Sequence, residues 1–583
     1  MVTKPGSAES RSPIDVAVIG AGPTGLMIAN LLGRHGLRVA IFEAEPQLVD
    51  YPRGVGMDDE TLRTFQAAGL VDAVLPHTIA HQLLVFVDRK QRDLVRIAPP
   101  TADFGWPRRN GFVQPLADRV LLEGLGRFDS VEIHWSSPVT GFTQDADGVE
   151  LTISSPAGER TVRASYVVGA DGGSSATRKA LGLEFAGISA EADWFVIDIR
   201  NDPLGQPGAY VCADPRRPYV SISIPHGIRR FEFMLKPGET EAKAMTDEFV
   251  ARLLEPFVPA TASVDIIRRR VYRHHSRMAE RFRSGRVFLI GDAAHVMPVW
   301  QGQGYNSAIR DSLNLFWKLA MVLRGQAGDE LLDSYESERR EHVRAMIQLS
   351  TWVGRLVSVT NRVGAGARNI FFRALSAVPS AKSYIVQMRF KPMPTMTTGA
   401  LTLRGSLSEP TPVGRLFIQP TVSTRETPSL KLDDALGPWF ALIAWNNDPR
   451  AILDDDAQRR LARAGVRLVA ARPAVQLNWD EAEAAAPAVR SGAARRRRGP
   501  RAGDSVLVVG DLDGSLKRWF DARAESVVLV RPDRIVGGAS RAYAASDMVR
   551  GFDLAIGAPD LVPAAASDPA AASDPATQSE RVS

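Results

Sequence analysis

The ordered pattern opens with a short apolar run, DVAVI at 15–19, and glycines follow at once. TGLMIANLLGRHG at 24–36 then carries apolar residues at helical spacing and stops at Gly36. RVAIFEAE at 38–45 is a second apolar run of strand length. Strand, turn, helix and strand within about 30 residues predict a βαβ unit.

The pattern changes between 190 and 275. DWFVIDI, YVSISI and RRFEFML mix alternation with turn residues, which predicts antiparallel sheet. RVFLIGDAAHVMPVWQGQGYN at 286–306 begins as a buried strand, Val287 to Ile290, and then turns into Gly-Asp, a histidine, a proline and spaced glycines. The next stretch has apolar residues at 309, 313, 316, 320 and 323, one packed helical face ending at Gly325, and 329–350 predict a charged amphipathic helix. Residues 391–412, rich in Pro, Thr and Gly, predict a linker. FALIAW, VRLVAA, SVLVVG and SVVLVRP predict the strands of a separate α/β unit over 413–556. The final PAAASDPAAASDPATQSERVS is a low-complexity repeat without the apolar surface to order itself.

Composition narrows the class. A chain of 583 residues exceeds one ordinary core, so two or three domains are expected. With 45% hydrophobic and 23% charged residues it reads as globular. No apolar run approaches the roughly 20 residues of a membrane helix, and MVTKPGSAESRSPID lacks a secretory apolar core. A cytoplasmic protein with no membrane partner is expected. The single cysteine, Cys212, forbids an intrachain disulfide and cysteine-clustered zinc or iron–sulfur sites, and reads as an apolar filler. Neither this nor any other pattern predicts a metal. The net charge of +5 owes part to ARRRRGPR at 494–501, which lacks interleaved aromatics and reads as a solvated loop, so no nucleic acid is expected.

Three motifs carry chemistry. GAGPTG at 20–25 follows a strand and opens a helix, and Glu43 stands 18 residues past Gly25. Gly20 permits a tight turn, Gly22 lets a pyrophosphate approach the backbone, and Gly25 lets helix and strand pack closely. The helix start offers free N–H groups to a phosphate, and Glu43 can accept from the adenosine ribose of FAD or NAD. YVVGADGGSSATRKALG at 166–182 places Asp171-Gly172 after a strand, with Arg178 leading into a helix, and alone reads as a loop. Gly291-Asp292 follows the buried strand Val287 to Ile290 and precedes HVMPVWQGQGYN.

Together, in this order, the three motifs resemble the aromatic-ring hydroxylases of the single-component flavoprotein monooxygenase class. Longer stretches extend the resemblance to about residue 556: 50–78, FGWPRRNGFVQP at 104–115, 214–240, 295–311, MRFKPMP at 388–394 and VLVRPDR at 528–534. They point to a branch acting on small phenolic acids. The arginine run at 495–498 and the C-terminal tail depart from the family, far from the motifs.

The resemblance implies an α/β fold: a Rossmann-like FAD-binding domain with an inserted, mainly antiparallel β substrate domain, plus a C-terminal thioredoxin-like α/β domain. The FAD-binding domain would take 13–80, 108–188 and 275–390, and the substrate domain 81–107 and 189–274. The thioredoxin-like domain would take 413–556, between a linker at 391–412 and a disordered tail at 557–583, with 1–12 flexible. Because 413–556 contains no cysteine, dithiol chemistry is excluded there. That unit reads as structural or as an oligomer contact, with a homodimer to be tested.

The resemblance also implies roles residue by residue. Gly20, Gly22 and Gly25 serve the FAD pyrophosphate and Glu43 its ribose. Arg53 lies on the flavin side, and Gln114 contacts the cofactor's middle. Asp171 couples FAD to the approach of the reductant, NADH with NADPH as the alternative. Gly291 and Asp292 hold the ribityl chain, and Pro298 lies beside the ring. Gly302 and Gly304 turn backbone donors toward the ring, and Asn306 bonds its pyrimidine edge. The implied reaction inserts one atom of O2 ortho to the phenol of a small aromatic acid. Tyr219, Arg229, Arg230 and Trp300 are candidates for that substrate. His226, Asp58 and Asp59 are candidates for taking the phenolic proton, although His226 also suits a turn and the two acids also suit helix caps. His295 suits a structural hydrogen bond. Another phenol or a polyketide as substrate, and a non-oxygenating flavin reductase or electron carrier, are the alternatives.

Overall fold

The computed structural model describes residues 14–50, 54–156, 158–258, 264–477 and 506–559. Arg53, the arginine run and the expected N-terminal and C-terminal tails, apart from residues 557–559, fall outside them.

The first apolar runs become strands Ile14–Ile19 and Val39–Phe42, joined by helix Pro23–Arg34. They enter a sheet whose order is Arg283–Ser284, Val287–Leu289, Gly158–Gly169, Ile14–Ile19, Val39–Phe42, Val131–His134. From Val287–Leu289 to Val131–His134 every junction is parallel. The central strands are buried on both faces, which is why they read as continuous apolar runs rather than as alternation.

The alternating segment forms a second sheet. Its order is His295–Val296, Asp265–Ala279, Phe185–Arg200, Ile228–Met234, Tyr219–Ile224, Ala209–Cys212, Leu84–Val87, Asp93–Ile97. All its junctions are antiparallel except Ala209–Cys212 with Leu84–Val87. The loop histidine at 295 thus begins an edge strand of this sheet, linking it to the Gly-Asp turn.

The C-terminal strands form a third sheet. Ala441–Trp445 lies beside Arg467–Pro473 in parallel and beside Val527–Val530 in antiparallel, and Val536–Ser540 closes that edge. This is the strand order of a thioredoxin-like core, with Leu507–Asp511 added in parallel on the other side.

Helix Gln303–Leu323 departs from expectation. Its apolar spacing suggested one buried face, but Asn306, Arg310, Asp311, Asn314 and Lys318 are buried as well. Each has a partner: Arg310 meets Asp58 and Glu60, Asp311 meets His295 and Arg339, and Asn314 and Lys318 meet Glu338. Paired charges allow a helix to run through a protein interior that unpaired ones would exclude. The stretch 391–412 also differs from a loose linker, because its Lys391 is buried between Asp58 and Glu60.

Candidate active site

Three strand ends build the site. Ile14–Ile19, Gly158–Gly169 and Val287–Leu289 are parallel neighbours, with Ile19 opposite Gly169 and Gly169 opposite Leu289. Each is followed by one of the three motifs, so all three turns leave the same edge of the sheet. Open parallel sheets bind ligands at that carboxyl edge.

A cavity of about 270 Å³ lies there. Gly22, Gly54, Gln114, Gly172, Asp292, Gly302 and Gly304 line one side, and Leu84, Val211, Val220, Ile222 and Glu232 of the antiparallel sheet line the other. Trp300 stands in the wall between this cavity and a second of about 840 Å³, which Pro298 faces. Trp300 meets Trp194 edge-on at 4.8 Å and His274 at 5.3 Å.

The three fingerprint glycines are not equivalent. Gly20 has φ of 103°, and a Cβ on Gly25 would stand 2.1 Å from the Gly20 carbonyl oxygen. A Cβ on Gly22 would meet nothing within 4 Å. The fold itself requires Gly20 and Gly25, whereas Gly22 borders open space. Helix Pro23–Arg34 begins there with no side-chain cap, which leaves donors for a phosphate. Glu43 closes the turn, accepting the Ala21 N–H at 2.6 Å and the Glu45 N–H at 2.9 Å.

Asp171 is half used. Its Oδ2 accepts from the Thr177 N–H at 2.9 Å and hydroxyl at 3.0 Å, whereas Oδ1 is buried without a partner. Arg178 donates to the carbonyls of Gly173 at 2.9 Å and Ala293 at 2.8 Å, tying the second motif to the third. The Gly291 N–H donates to Asp311 at 3.0 Å, which sets the turn that carries Asp292. Gly302, in the left-handed region at φ 62°, starts helix Gln303–Leu323 with no side-chain cap. The nearest atom to a Cβ on Gly304 would be 3.9 Å away. Gln114 accepts the Gly54 N–H at 2.6 Å.

Asn306 has another job than the one expected of it. Its Oδ1 accepts from the Asp58 N–H at 3.0 Å and the Thr61 hydroxyl at 2.7 Å, and its Nδ2 donates to the carbonyls of Gly56 and Gly302. With both amide hydrogens and the carbonyl occupied, it braces the glycine loop.

The substrate-side candidates are mostly displaced. Successive residues of a strand face opposite sides, and the cavity takes Val220, Ile222 and Glu232. Tyr219 therefore points away, packing on Phe233 and Phe257. Arg229 shares that far face and is held by Asp202 at 2.6 and 2.9 Å and by Ser221 at 3.1 Å. Arg230 is on the near side but is bound to both oxygens of Asp198, at 2.7 and 2.9 Å. His226 sits on an exposed hairpin turn at φ 64°, its Nε2 3.2 Å from His77 Nδ1. Asp58 caps helix Asp59–Ala67 through the Thr61 N–H at 3.0 Å and pairs with Arg310 and Lys391. Asp59 is buried beside it, 3.7 Å from Arg108 Nε, and neither acid lines the cavity. Only Trp300 of the substrate-side candidates reaches it.

Three titratable lining residues escaped the sequence reading: Arg109, Glu232 and Tyr305. Burial pulls the Arg109 guanidinium down to about 10, and its Nε has no partner. Burial pushes the Glu232 carboxyl up, against the pull of Arg230, and the Tyr272 hydroxyl donates to its Oε2 at 2.9 Å. Burial and then Asp118 raise the Tyr305 phenol well above its usual value, and its hydroxyl has no partner. Glu232 had a signal, an acid within the apolar positions of RRFEFML. Arg109 had none.

Open space at Gly22, an unpartnered Asp171 oxygen and two uncapped helix starts suit a long ligand that carries phosphates and hydroxyls. Comparison with known proteins agrees. Residues 13–350 match the FAD binding domain family, and 414–555 match the HcaD C-terminal domain. The chain belongs to this family of FAD-binding flavoproteins, and its cofactor is FAD. Within the family, it is 53% identical over 539 residues to the 3-(3-hydroxy-phenyl)propionate/3-hydroxycinnamic acid hydroxylase of Mycolicibacterium smegmatis, covering 92% of each chain. It is 46% identical to the enzyme of that name from Paraburkholderia xenovorans, covering 92% of this chain and 90% of the other. Among solved structures it resembles p-nitrophenol 4-monooxygenase from Pseudomonas putida, with a TM-score of 0.61 and 25% identity over 65% of this chain and 98% of that one. The flavin-dependent monooxygenase PieE shares the fold, with a TM-score of 0.74 and 21% identity over 94% of this chain and 100% of that one.

Proposed function

We propose that this protein hydroxylates 3-(3-hydroxyphenyl)propionate and 3-hydroxycinnamate ortho to the phenol, consuming NADH and O2 and giving the 2,3-dihydroxyphenyl acid. The observation that carries this reading is 53% identity, spread over 92% of both chains, to a hydroxylase named for these two acids.

FAD, when bound, supplies the electron storage and the oxygen activation. The chain's part is to hold, orient and exclude water. In this reading the start of helix Pro23–Arg34 takes the pyrophosphate over Gly22, and Glu43 adds a ribose contact to its bonds with the glycine turn. Asp171 Oδ1 gains its missing donor, and Asp292 accepts from ribityl hydroxyls. Gly302, Gly304 and the first N–H groups of helix Gln303–Leu323 face the pyrimidine edge. Such fixed donors would stabilise negative charge on a group held there. Val211, Val220, Ile222 and Trp300 give the substrate ring dry walls, in which electrostatic contacts strengthen. We read the three sheets as cofactor, substrate and C-terminal packing units. A cytoplasmic location, where NADH is at hand, goes with this reading; among the described residues no helix is long and apolar enough to cross a membrane.

The test is substrate-stimulated NADH oxidation over a panel of phenols, with product analysis under 18O2. Strong stimulation by the two hydroxyphenyl acids and one labelled oxygen in the catechol are expected. Stimulation confined to another phenol overturns the substrate, and an unlabelled product overturns the oxygenase.

A further inference from the structure

We infer that Arg109 is the anchor for the substrate's carboxylate and that Glu232, on the same cavity, receives the proton of its phenol. This rests on the function proposed above, because it takes the ligand to be a hydroxyphenyl acid.

Such a molecule has an anionic end, an apolar ring and a hydroxyl. Its site needs a cation, apolar walls and an acceptor. Among the described residues, the charged side chains lining the cavity are Arg109, Glu232 and Asp292. Asp292 comes from the Gly-Asp turn, on the cofactor side. Arg109 and Glu232 are left for the substrate, one of each sign.

Arg109, half-buried on the cavity, stands apart from the buried arginines. Arg63, Arg229, Arg230, Arg310, Arg339 and Arg531 each meet an acid, and Arg178 and Arg368, which meet none, donate to backbone carbonyls. Among the described residues the Arg109 side chain meets none, and its Nε is buried without an acceptor. A guanidinium with a buried, empty donor is costly unless something compensates it. A carboxylate entering the cavity would do so, in the paired geometry that guanidinium favours. The sequence-level rivals are already satisfied, Arg229 by Asp202 and Arg230 by Asp198.

Glu232 lies on the cavity face of the sheet, opposite Val220 and Val196 in register. Oε2 takes the Tyr272 hydroxyl at 2.9 Å, and Oε1 lies 3.8 Å from Arg230 Nη1, beyond a hydrogen bond. Oε1 therefore has room for a phenolic O–H. In the step itself the phenol's O–H bond breaks, the proton joins a Glu232 oxygen, and the electron pair stays on the phenolate, enriching the ortho carbon for oxygen attack.

The experiment uses the FAD-loaded enzyme and two ligands, 3-(3-hydroxyphenyl)propionate and 3-ethylphenol, which keeps the ring and loses the carboxylate. Wild-type turnover of the acid tests the function. The ratio between ligands tests Arg109. Arg109→Gln is expected to raise KM for the acid by roughly 30-fold or more, to leave 3-ethylphenol unchanged, and to be partly rescued by Arg109→Lys. An equal loss on both ligands overturns the anchor. Should Arg109→Gln fail to fold, the wild type's preference for the acid over its primary amide decides, and equal KM values overturn it. Glu232→Gln keeps an acceptor for Tyr272 and removes the base. It is expected to lower kcat with KM nearly unchanged, and the deficit should shrink as pH rises toward the phenol's own pKa of about 10. A deficit that does not change with pH overturns the role of Glu232.

Discussion

His295 and Asp311 share a buried hydrogen bond, Nε2 to Oδ2 at 2.7 Å. The same carboxylate receives the Gly291 N–H at 3.0 Å, and its Oδ1 receives Arg339 Nε at 2.8 Å. One side chain thus holds the turn that presents Asp292, the loop histidine behind it, and helix Ser334–Val357. Burial alone would raise the Asp311 carboxyl, but the attraction of His295 and Arg339 outweighs it and holds the group down at about 2. Asp311→Ala leaves Arg339 buried without its acid. An expected loss of about 3–5 kcal/mol would be read by denaturant unfolding, together with a lower ratio of flavin to protein after purification. The sign in pH follows from a lowered carboxyl. The wild type keeps this contribution above about pH 4 and loses it as pH falls through about 2, whereas the variant has none to lose.

Gly22 and Gly25 make a matched pair of tests. Gly22→Ala meets open space in the protein, so the apoprotein should melt as wild type does. It should bind FAD weakly, because the methyl takes the room that a pyrophosphate needs. Gly25→Ala drives its methyl to 2.1 Å from a backbone oxygen that cannot swing aside. It should lower stability itself, by about 1–3 kcal/mol. Differential scanning of apo and FAD-loaded protein separates the two, and equal behaviour of the variants would count against the assignment.

What could be read in the sequence divides by the kind of information needed. The three glycine motifs each follow a buried strand, and a parallel sheet brings their ends to one edge whatever lies between them in the chain. The cofactor side was therefore legible. The substrate side depends on which face of a strand meets the cavity, and RRFEF offers both. Arg229 and Arg230 are adjacent, so at most one could lie on the cavity side of the sheet, and that one, Arg230, is bound to Asp198 and does not reach the cavity. Asn306 has the right position but spends its amide on Gly56 and Gly302. Arg109 carries no local pattern, and what marks it out is that, among the described residues, its side chain finds no partner. That absence is a fact of packing.

Asp59 should make stability fall as pH rises. Burial is the main cause that pushes its carboxyl up to about 7; Lys391 opposes it, and Asp58 and Glu60 add to it. A carboxyl raised above its unfolded value contributes fully below about pH 4, and the contribution is lost as pH climbs toward 7. Asp59→Asn removes the titration. The expected result is a gain of one to a few kcal/mol at pH 8 and little change at pH 4, read as unfolding midpoints at both values. A variant no more stable than wild type at pH 8 would refute the raised carboxyl.

The C-terminal unit is tied to the cofactor side by buried charge rather than by a flexible tether. Arg531 donates to Glu338 at 2.7 and 2.9 Å, and Glu338 also accepts from Lys318 at 2.8 Å and Asn314 at 2.7 Å. Arg63, on helix Asp59–Ala67, donates to Asp433 at 2.6 and 2.8 Å and to the Phe417 carbonyl at 2.7 Å. Trp317 packs edge-on against Phe440 at 5.3 Å across the same boundary. Replacing one member of such a network leaves the others charged and dry, which costs more than the pair gained. Arg531→Leu is therefore expected to lose about 3–5 kcal/mol and to split unfolding into two steps, with the C-terminal unit released first. In the variant that remains folded, KM for the acid should hold, since neither Arg531 nor Glu338 lines the cavity. A single transition at the wild-type midpoint would mean that this ionic cluster contributes little to stability or to holding the two units together.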